Sequence, residues 1–466
     1  MDTCAVILAA GQGTRMKTFL PKAMTEVLFK PMLDWVISAL EAADVSEICV
    51  VTGFSADIIE EHLAGRYETV HQFERKGTGH AVMQATDFIK RHIEGNVLVL
   101  NGDAPLINAE TISDACAYHT KKGDDITVVT AKIPDPTGYG RIIRDSQGDI
   151  DRIVEEKDAD DAQKQVNEVN SGVYCFRAES LLDALSKITP NNSKNEYYLT
   201  DTIGIVNGQG GRVGAYTAKD QSVILGANTR RQLSEINEVA RFRILNKLWD
   251  NGVDIPCTDG VIIGPDVEVG KDTRILPGTI ARGKVSIGEK CVIGPNSYIK
   301  DSKIGDLVRF DNSQIRSAEI RSNCRIGPFA QIRPNSVICD RVHLGNFTEV
   351  KNSVVDEGTA VSHLTYVGDS DVGKNVNFGC GTVTVNFTGK EKFRTVIRDG
   401  AFIGCNTNLV APVTVGKNAF TAAGSTITED VPDNSLVIAR SRQEVKRNWV
   451  IEHQPYRRTV EIDDDE

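Results

Sequence analysis

No Cys-x-x-Cys pair occurs among the ten cysteines, which lie scattered from Cys4 to Cys405. That absence argues against a zinc site or a disulfide framework and suits a reducing compartment. A surplus of basic charge is missing too: 53 Lys and Arg stand against 64 Asp and Glu, a formal net charge of −11. Broad contact with nucleic acid or anionic lipid is driven by basic residues, so neither partner is expected. Anionic substrates must then be met by local basic clusters. Residues 1–11 include no Lys or Arg, and their apolar run is too short for a secretory leader or a membrane span. The run reads as a buried strand, and the expectation is a cytoplasmic chain without membrane insertion. The acidic run 461–466 reads as a solvated end with no function.

A chain of 466 residues exceeds what one hydrophobic core usually holds, so two or more domains are expected. Through about residue 225, short apolar runs at 4–9, 47–52, 96–100 and 125–131 alternate with helical stretches at 32–43, 79–90 and 110–121. This alternation predicts an α/β, Rossmann-like domain whose mostly parallel sheet carries helices on both faces. Leu233, Ile236, Val239, Ala240, Ile244, Leu245 and Leu248 then line one side of a helix that stops at Gly252. The expected division is a domain over 1–230, a helical linker over 231–251 and a second domain over 252–466. In the latter, Ile263, Val269, Ile275, Ala281, Ile287, Ile293 and Ile299 recur every six residues, and the register resumes over 320–350 and 397–427. A hexapeptide period marks a parallel β-helix, of the left-handed kind for this repeat. Three hexads make one triangular coil, so residues 18 apart stack at one strand spacing, roughly 4.8 Å.

The first strand leads into Leu8-Ala9-Ala10-Gly11-Gln12-Gly13-Thr14-Arg15-Met16, followed by Leu20-Pro21-Lys22. Small residues let backbone N–H groups approach phosphate or a base edge, and Arg15 and Lys22 supply charge for a triphosphate. Asp103 ends an apolar strand, where ligands gather in an open α/β sheet, and with Asn228 it offers two hard oxygens to Mg²⁺. The string resembles the signature of sugar-nucleotide pyrophosphorylases. Further stretches narrow the resemblance: Gln72, Gly77-Thr78-Gly79-His80, Gly102-Asp103-Ala104-Pro105-Leu106, Tyr139-Gly140-Arg141, Val154-Glu155, Asn170-Ser171-Gly172 and Glu196-Tyr197-Tyr198. They are similar to the bifunctional UDP-N-acetylglucosamine pyrophosphorylase/glucosamine-1-phosphate acetyltransferase family. The resemblance implies attack by N-acetylglucosamine-1-phosphate on UTP with release of pyrophosphate. It places nucleotide-sugar contacts at Leu8, Ala9, Ala10, Gly11, Lys22, Gln72, Gly77, Thr78 and Asn228, with Gly140, Glu155 and Asn170 on the amino sugar. Catalysis then rests on positioning and on charge neutralisation by Mg²⁺, Arg15 and Lys22.

In the second half, Arg333 and Lys351 each follow an inward residue and are 18 apart, so they stack as a phosphate clamp. His363 sits in Ser362-His363-Leu364-Thr365-Tyr366, where the hexad register slips. A lone His is more often a surface residue, but this string matches the same family. The resemblance implies that His363 takes a proton from the amine of glucosamine-1-phosphate as it attacks acetyl-CoA. Arg333, Lys351, Tyr366 and Asn377 hold the sugar phosphate in that reading. From Thr384 to Ile397 the spacing is one hexad plus seven, so a loop carrying Asn386 is inserted. Discounting it, Cys380, Cys405 and Ala423 form one column. Family members are trimers with acetyl-CoA between subunits, which implies a homotrimer with coenzyme contacts at Cys380, Asn386, Phe387, Cys405, Ala423 and Arg440. The other expectation for the two sulfurs is that they pack inside the β-helix. Three departures bear on the coenzyme: Asn386-Phe387-Thr388-Gly389 replaces the usual Asn-Tyr-Asp-Gly, and Cys380 and Cys405 stand where Ala and Ser are common.

Two other readings stay open at this point. The chain could be a pyrophosphorylase alone, with a structural β-helix, or a non-catalytic regulatory subunit built on the same folds.

Overall fold

The computed structural model describes residues 2–192 and 195–453; the acidic run 461–466 lies outside them. Two compact units emerge, one comprising the chain up to Asn251 with Ile262–Val267, the other Gly252–Val261 and the chain from Glu268. No described helix is long and apolar enough to cross a membrane.

In the first unit the strands Thr3–Leu8, Ile48–Thr52, Glu68–His71 and Asn96–Asn101 run parallel. The central one, Thr3–Leu8, is apolar from Cys4 onward because both of its faces are covered. Ala5 and Ile7 join a cluster with Leu33, Val36 and Leu40, while Cys4 and Val6 join another with Val82, Phe88 and Leu181. One strand departs from the expected pattern. Glu168–Arg177 lies antiparallel between Asn96–Asn101 and Ile126–Lys132, and its register slips between Asn170 and Tyr174. Such a bulge bends the strand and re-aims a side chain, here Asn170. The helix expected over 79–90 is two, Thr78–Gln84 and Thr86–Arg91, broken at Ala85.

The helix Arg230–Asp250 starts in a capping box formed by Thr229 and Gln232. Expected as a linker, it packs into the first unit. Leu233, Ile236 and Ala240 meet Met16, Val27, Leu28, Met32 and Leu106. Arg230 Nε donates to Met16 O at 3.1 Å, and Leu28 N donates to Asn237 Oδ1 at 2.9 Å. Burying a large aliphatic side chain is worth about 1.5–3 kcal/mol, so this helix is a floor beneath the Arg15 loop rather than a free spacer.

The second unit is a left-handed parallel β-helix whose strands are mostly two or three residues long, with nine-residue strands at His343–Lys351 and Ala360–Gly368. Ile320, Ile326, Ile332, Ile338, Leu344 and Val350 point inward and are at most 2% exposed. Ile332 stacks on Val350 and Leu409 on Ile427, 18 apart as expected. Elsewhere the coil is shorter: Ile299 pairs with Ile315 and Ile304 with Ile320, 16 apart, and Val350 with Val367, 17 apart. At the inserted loop it lengthens, and Val383 pairs with Asn408, 25 positions on.

Candidate functional sites

Two adjoining cavities of about 410 and 330 Å³ open at the C-terminal ends of Thr3–Leu8 and Asn96–Asn101, and share Leu8, Thr78, Asn101, Asp103 and Glu155. Ala9, Ala10, Gly11, Lys22, Gln72 and Gly77 complete the first; Arg15, Gly140, Asn170 and Asn228 belong to the second. The residues expected to touch the nucleotide, the amino sugar or the metal therefore each line one of them. Gly77 has φ +105°, and a Cβ there would stand 2.5 Å from Tyr197 O, so only glycine fits. Buried Gln72 donates to Gly77 O at 3.1 Å, Gly79 N donates to Tyr197 O at 2.8 Å, and Leu199 N donates to Thr78 Oγ1 at 3.1 Å. These bonds hold the 77–79 backbone rigid.

Lys22 Nζ pairs with Asp103 Oδ2 and donates to Asn228 Oδ1 at 2.7 Å. Two hard oxygens, one anionic, thus converge on a single cation position, a donor set that suits Mg²⁺, which takes few protein ligands and keeps the rest for water and phosphate. Asn170 is fixed at both ends of its amide: Oδ1 accepts from Gly172 N at 3.0 Å, and Nδ2 donates to Tyr174 OH at 2.6 Å. Burial pushes the Tyr174 phenol far up, so it stays protonated. Arg75 was missed from the sequence. It lines the first cavity and donates to Gln12 Oε1 at 3.0 Å, and its place between Gln72 and Gly77 is the signal that could have found it.

In the second unit, His363 is exposed on the strand Ala360–Gly368, one coil from His343–Lys351. Its Nδ1 lies 3.2 Å from Asn346 Oδ1. An amide oxygen facing Nδ1 favours the tautomer of the neutral ring that leaves the lone pair on Nε2. Arg333 N donates to Val350 O at 2.8 Å, so Arg333 and Lys351 leave neighbouring coils side by side. Arg333 also pairs with Glu349 at 2.7 Å. Lys392, from the inserted loop, presses on Lys351 and lowers its pKa, with burial and Arg333 adding to the effect. Three cations crowd one wall, which favours an anion there. Asn386, nearly buried, donates to Asp369 and reaches Tyr366 OH at 3.5 Å, so it stands on this wall. Asn377 pairs with Ala360 on the next coil. Asn346, Glu349, Asp369 and Lys392 were missed; Asn346, one coil before His363, could have been found from the register.

Asn406 N donates to Cys380 O at 2.7 Å, and Gly424 N donates to Cys405 O at 2.8 Å, which puts Cys380, Cys405 and Ala423 on successive coils at one corner. Arg440 Cδ lies 3.7 Å from where a Gly424 Cβ would stand. Cys380 and Cys405 are exposed, unlike the other eight cysteines, so neither packs inside the β-helix. Phe387 is 55% exposed. A larger hollow of about 600 Å³, over Asp371, Arg398 and Lys417, contains none of these residues.

Residues 4–237 match the nucleotidyl transferase family, and 266–301, 317–352 and 394–429 match the six-repeat bacterial transferase hexapeptide. The chain is 50% identical over 451 residues to the bifunctional protein GlmU of Caldanaerobacter subterraneus subsp. tengcongensis, a match covering 97% of this chain and 98% of that one. It is 49% identical to the bifunctional protein GlmU of Thermoanaerobacter pseudethanolicus, over 96% of this chain and 97% of that one. With the same-named protein of Acetivibrio thermocellus the identity is 47%, again over 96% and 97%.

Proposed function

The chain belongs to the GlmU family of bifunctional enzymes and serves UDP-N-acetylglucosamine biosynthesis; we propose that its units divide that work, acetyl transfer falling to the second and uridylyl transfer to the first. The likeness runs through both units, which disfavours a β-helix that is only structural and a chain without catalysis. The observation that carries the first assignment is the convergence of Asp103 and Asn228 on one cation beside the glycine-rich loop. Asp103 and Asn228 hold Mg²⁺ in this reading, and the ion, when bound, neutralises triphosphate charge. Lys22 moves from those oxygens to phosphate, and Arg15 meets the phosphates from the other side of the cavity. Backbone N–H groups of the small-residue loop and of Gly77-Thr78 hold UTP, while Gly140, Glu155 and Asn170 hold N-acetylglucosamine-1-phosphate. No covalent intermediate is needed, so alignment of the sugar phosphate with the α-phosphorus supplies most of the rate.

In the second unit, Arg333, Lys351 and Lys392 bind the phosphate of glucosamine-1-phosphate, with Tyr366 and Asn377 beside them. His363 Nε2 takes the amine proton as the nitrogen attacks the thioester carbonyl, the C–S bond breaks, coenzyme A leaves as the thiolate and takes up a proton, and Asn346 keeps the starting tautomer. Acetyl-CoA lies along Cys380, Cys405, Ala423 and Arg440, with Asn386 and Phe387 above, in a homotrimer that closes the groove between copies. The chain works in the cytoplasm, where its co-substrates UTP and acetyl-CoA are found. Incubation with glucosamine-1-phosphate, acetyl-CoA, UTP and Mg²⁺ should give UDP-N-acetylglucosamine. Omitting UTP should leave the acetylated sugar phosphate, and omitting acetyl-CoA should leave no acetylated product. Product formed without acetyl-CoA would overturn the assignment.

Alkylating Cys380 or Cys405 with N-ethylmaleimide should lower acetyl transfer and spare uridylyl transfer. Labelling should slow when acetyl-CoA is bound. Mass spectrometry that finds either residue modified with acetyl transfer undiminished removes it from the groove.

A further inference from the structure

Gly140 presents backbone to the second cavity: a Cβ built on it would lie 3.6 Å from both Asn170 Cβ and Glu155 Oε1. Its carbonyl accepts from Asn170 N at 2.9 Å. The turn that delivers it runs through Gly138, at φ +90°, and is open on the cavity side. A glycine-rich turn of this kind costs backbone entropy to hold in one shape.

What holds it lies beneath. Arg141 is the largest fully buried side chain among the described residues, 1% exposed. Its guanidinium donates to Tyr139 O and, through the other terminal nitrogen, to Glu156 Oε2 at 2.7 Å. The same Oε2 accepts from Gly138 N at 3.0 Å. At the head of the turn, Thr137 N donates to Asp135 Oδ1 at 3.1 Å. Carboxylate and guanidinium therefore grip the two peptide units on either side of the 138–139 link, just before Gly140. Arg141 itself is anchored by strand pairing to Val154 and Val169, which flank Glu155 and Asn170 in sequence. Neither Arg141 nor Glu156 lines either cavity.

We propose that the Arg141–Glu156 pair is a positioning clamp for the sugar-phosphate substrate of the first unit, setting Gly140 at a fixed distance from Glu155 and Asn170. The inference rests on the reading of those three residues as the sugar site. The clamp acts through backbone, so its loss blurs the sugar subsite and leaves the nucleotide subsite, built on the 8–13 and 72–79 segments, as it was.

Removing one partner outright leaves a buried charge unpaired and endangers folding, the more so because Arg141 Nε is already buried with no hydrogen-bond partner among the described residues. Glu156→Asp is the informative variant, since it keeps the charge for Arg141 and withdraws the oxygen from Gly138 N by one methylene. Arg141→Lys is the second, keeping the cation while losing the two-pronged grip. In full-length protein, with Mg²⁺ and unchanged thermal unfolding midpoints, either variant should raise KM for N-acetylglucosamine-1-phosphate by about tenfold or more, with KM for UTP and the acetyl-transfer rate within about twofold. Unchanged sugar-phosphate KM in a folded variant, or equal rises in both KM values, overturns the clamp. A wild-type enzyme that does not use N-acetylglucosamine-1-phosphate would instead sink the functional reading on which the clamp depends.

Discussion

Asp103→Ala should cut uridylyl transfer by roughly 10²–10³-fold or more, the loss that follows when one preorganised charge contact is removed from a reacting phosphate or acyl group. Acetyl transfer by the same protein should stay within about twofold, because Asp103 belongs to the first unit and no residue of the acetyl-transfer wall does. The reasoning turns on Lys22. Its ammonium sits on Asp103 and Asn228. Replacing the carboxylate frees Lys22 for phosphate, so UTP should still bind and the fall should appear mainly in kcat. Asp103→Asn provides the comparison, keeping shape and one oxygen while losing the charge. Both activities measured on one preparation decide the case. Parallel loss of the two reactions would mean misfolding, and undiminished uridylyl transfer would take Asp103 out of the machinery.

His363→Ala should lower acetyl transfer by about 10²–10⁴-fold, the range a general base contributes, and leave uridylyl transfer unchanged. The side chain is exposed and makes one side-chain hydrogen bond, to Asn346, so its removal should cost little stability. Asn346→Ala should fall between wild type and His363→Ala, since the imidazole remains but its tautomer is no longer held. The KM for glucosamine-1-phosphate should move little in either, because the phosphate is met by Arg333, Lys351 and Lys392. A His363→Ala enzyme with acetyl transfer within tenfold of wild type would assign the proton to another group.

How much of this was legible depended on how local each feature is. Parallel strands such as Thr3–Leu8 announce themselves because both faces are buried and the apolar run is unbroken. Glu168–Arg177 did not, since Asn170-Ser171-Gly172 interrupts its alternation at the bulge. The hexads were plain, as one inward residue in six suffices to mark a coil. The shorter coils between Ile299 and Ile320 were not, because corner residues can be dropped without disturbing the inward ones. Residues bound to a motif, such as Lys22 and His363, could be named in advance. Lys392, Asn346 and Glu156 reach their places through a folded loop, a register and a turn respectively, and a chain read in order hides all three.

The pairing distances in the two units also set the order in which each can form. Thr3 pairs with Asn96, 93 positions on, and Val213 with Ile126, 87 away. The sheet of the first unit must therefore close long loops, and it stays incomplete until the strand Val213–Thr217 has left the ribosome. In the β-helix each coil finds its partner 16 to 18 residues away, and 25 at the inserted loop. Closing such short loops costs little entropy, and each coil offers the next a finished edge. Synthesis thus delivers a unit that must wait for distant strands, and then one that can be laid down coil upon coil as it emerges.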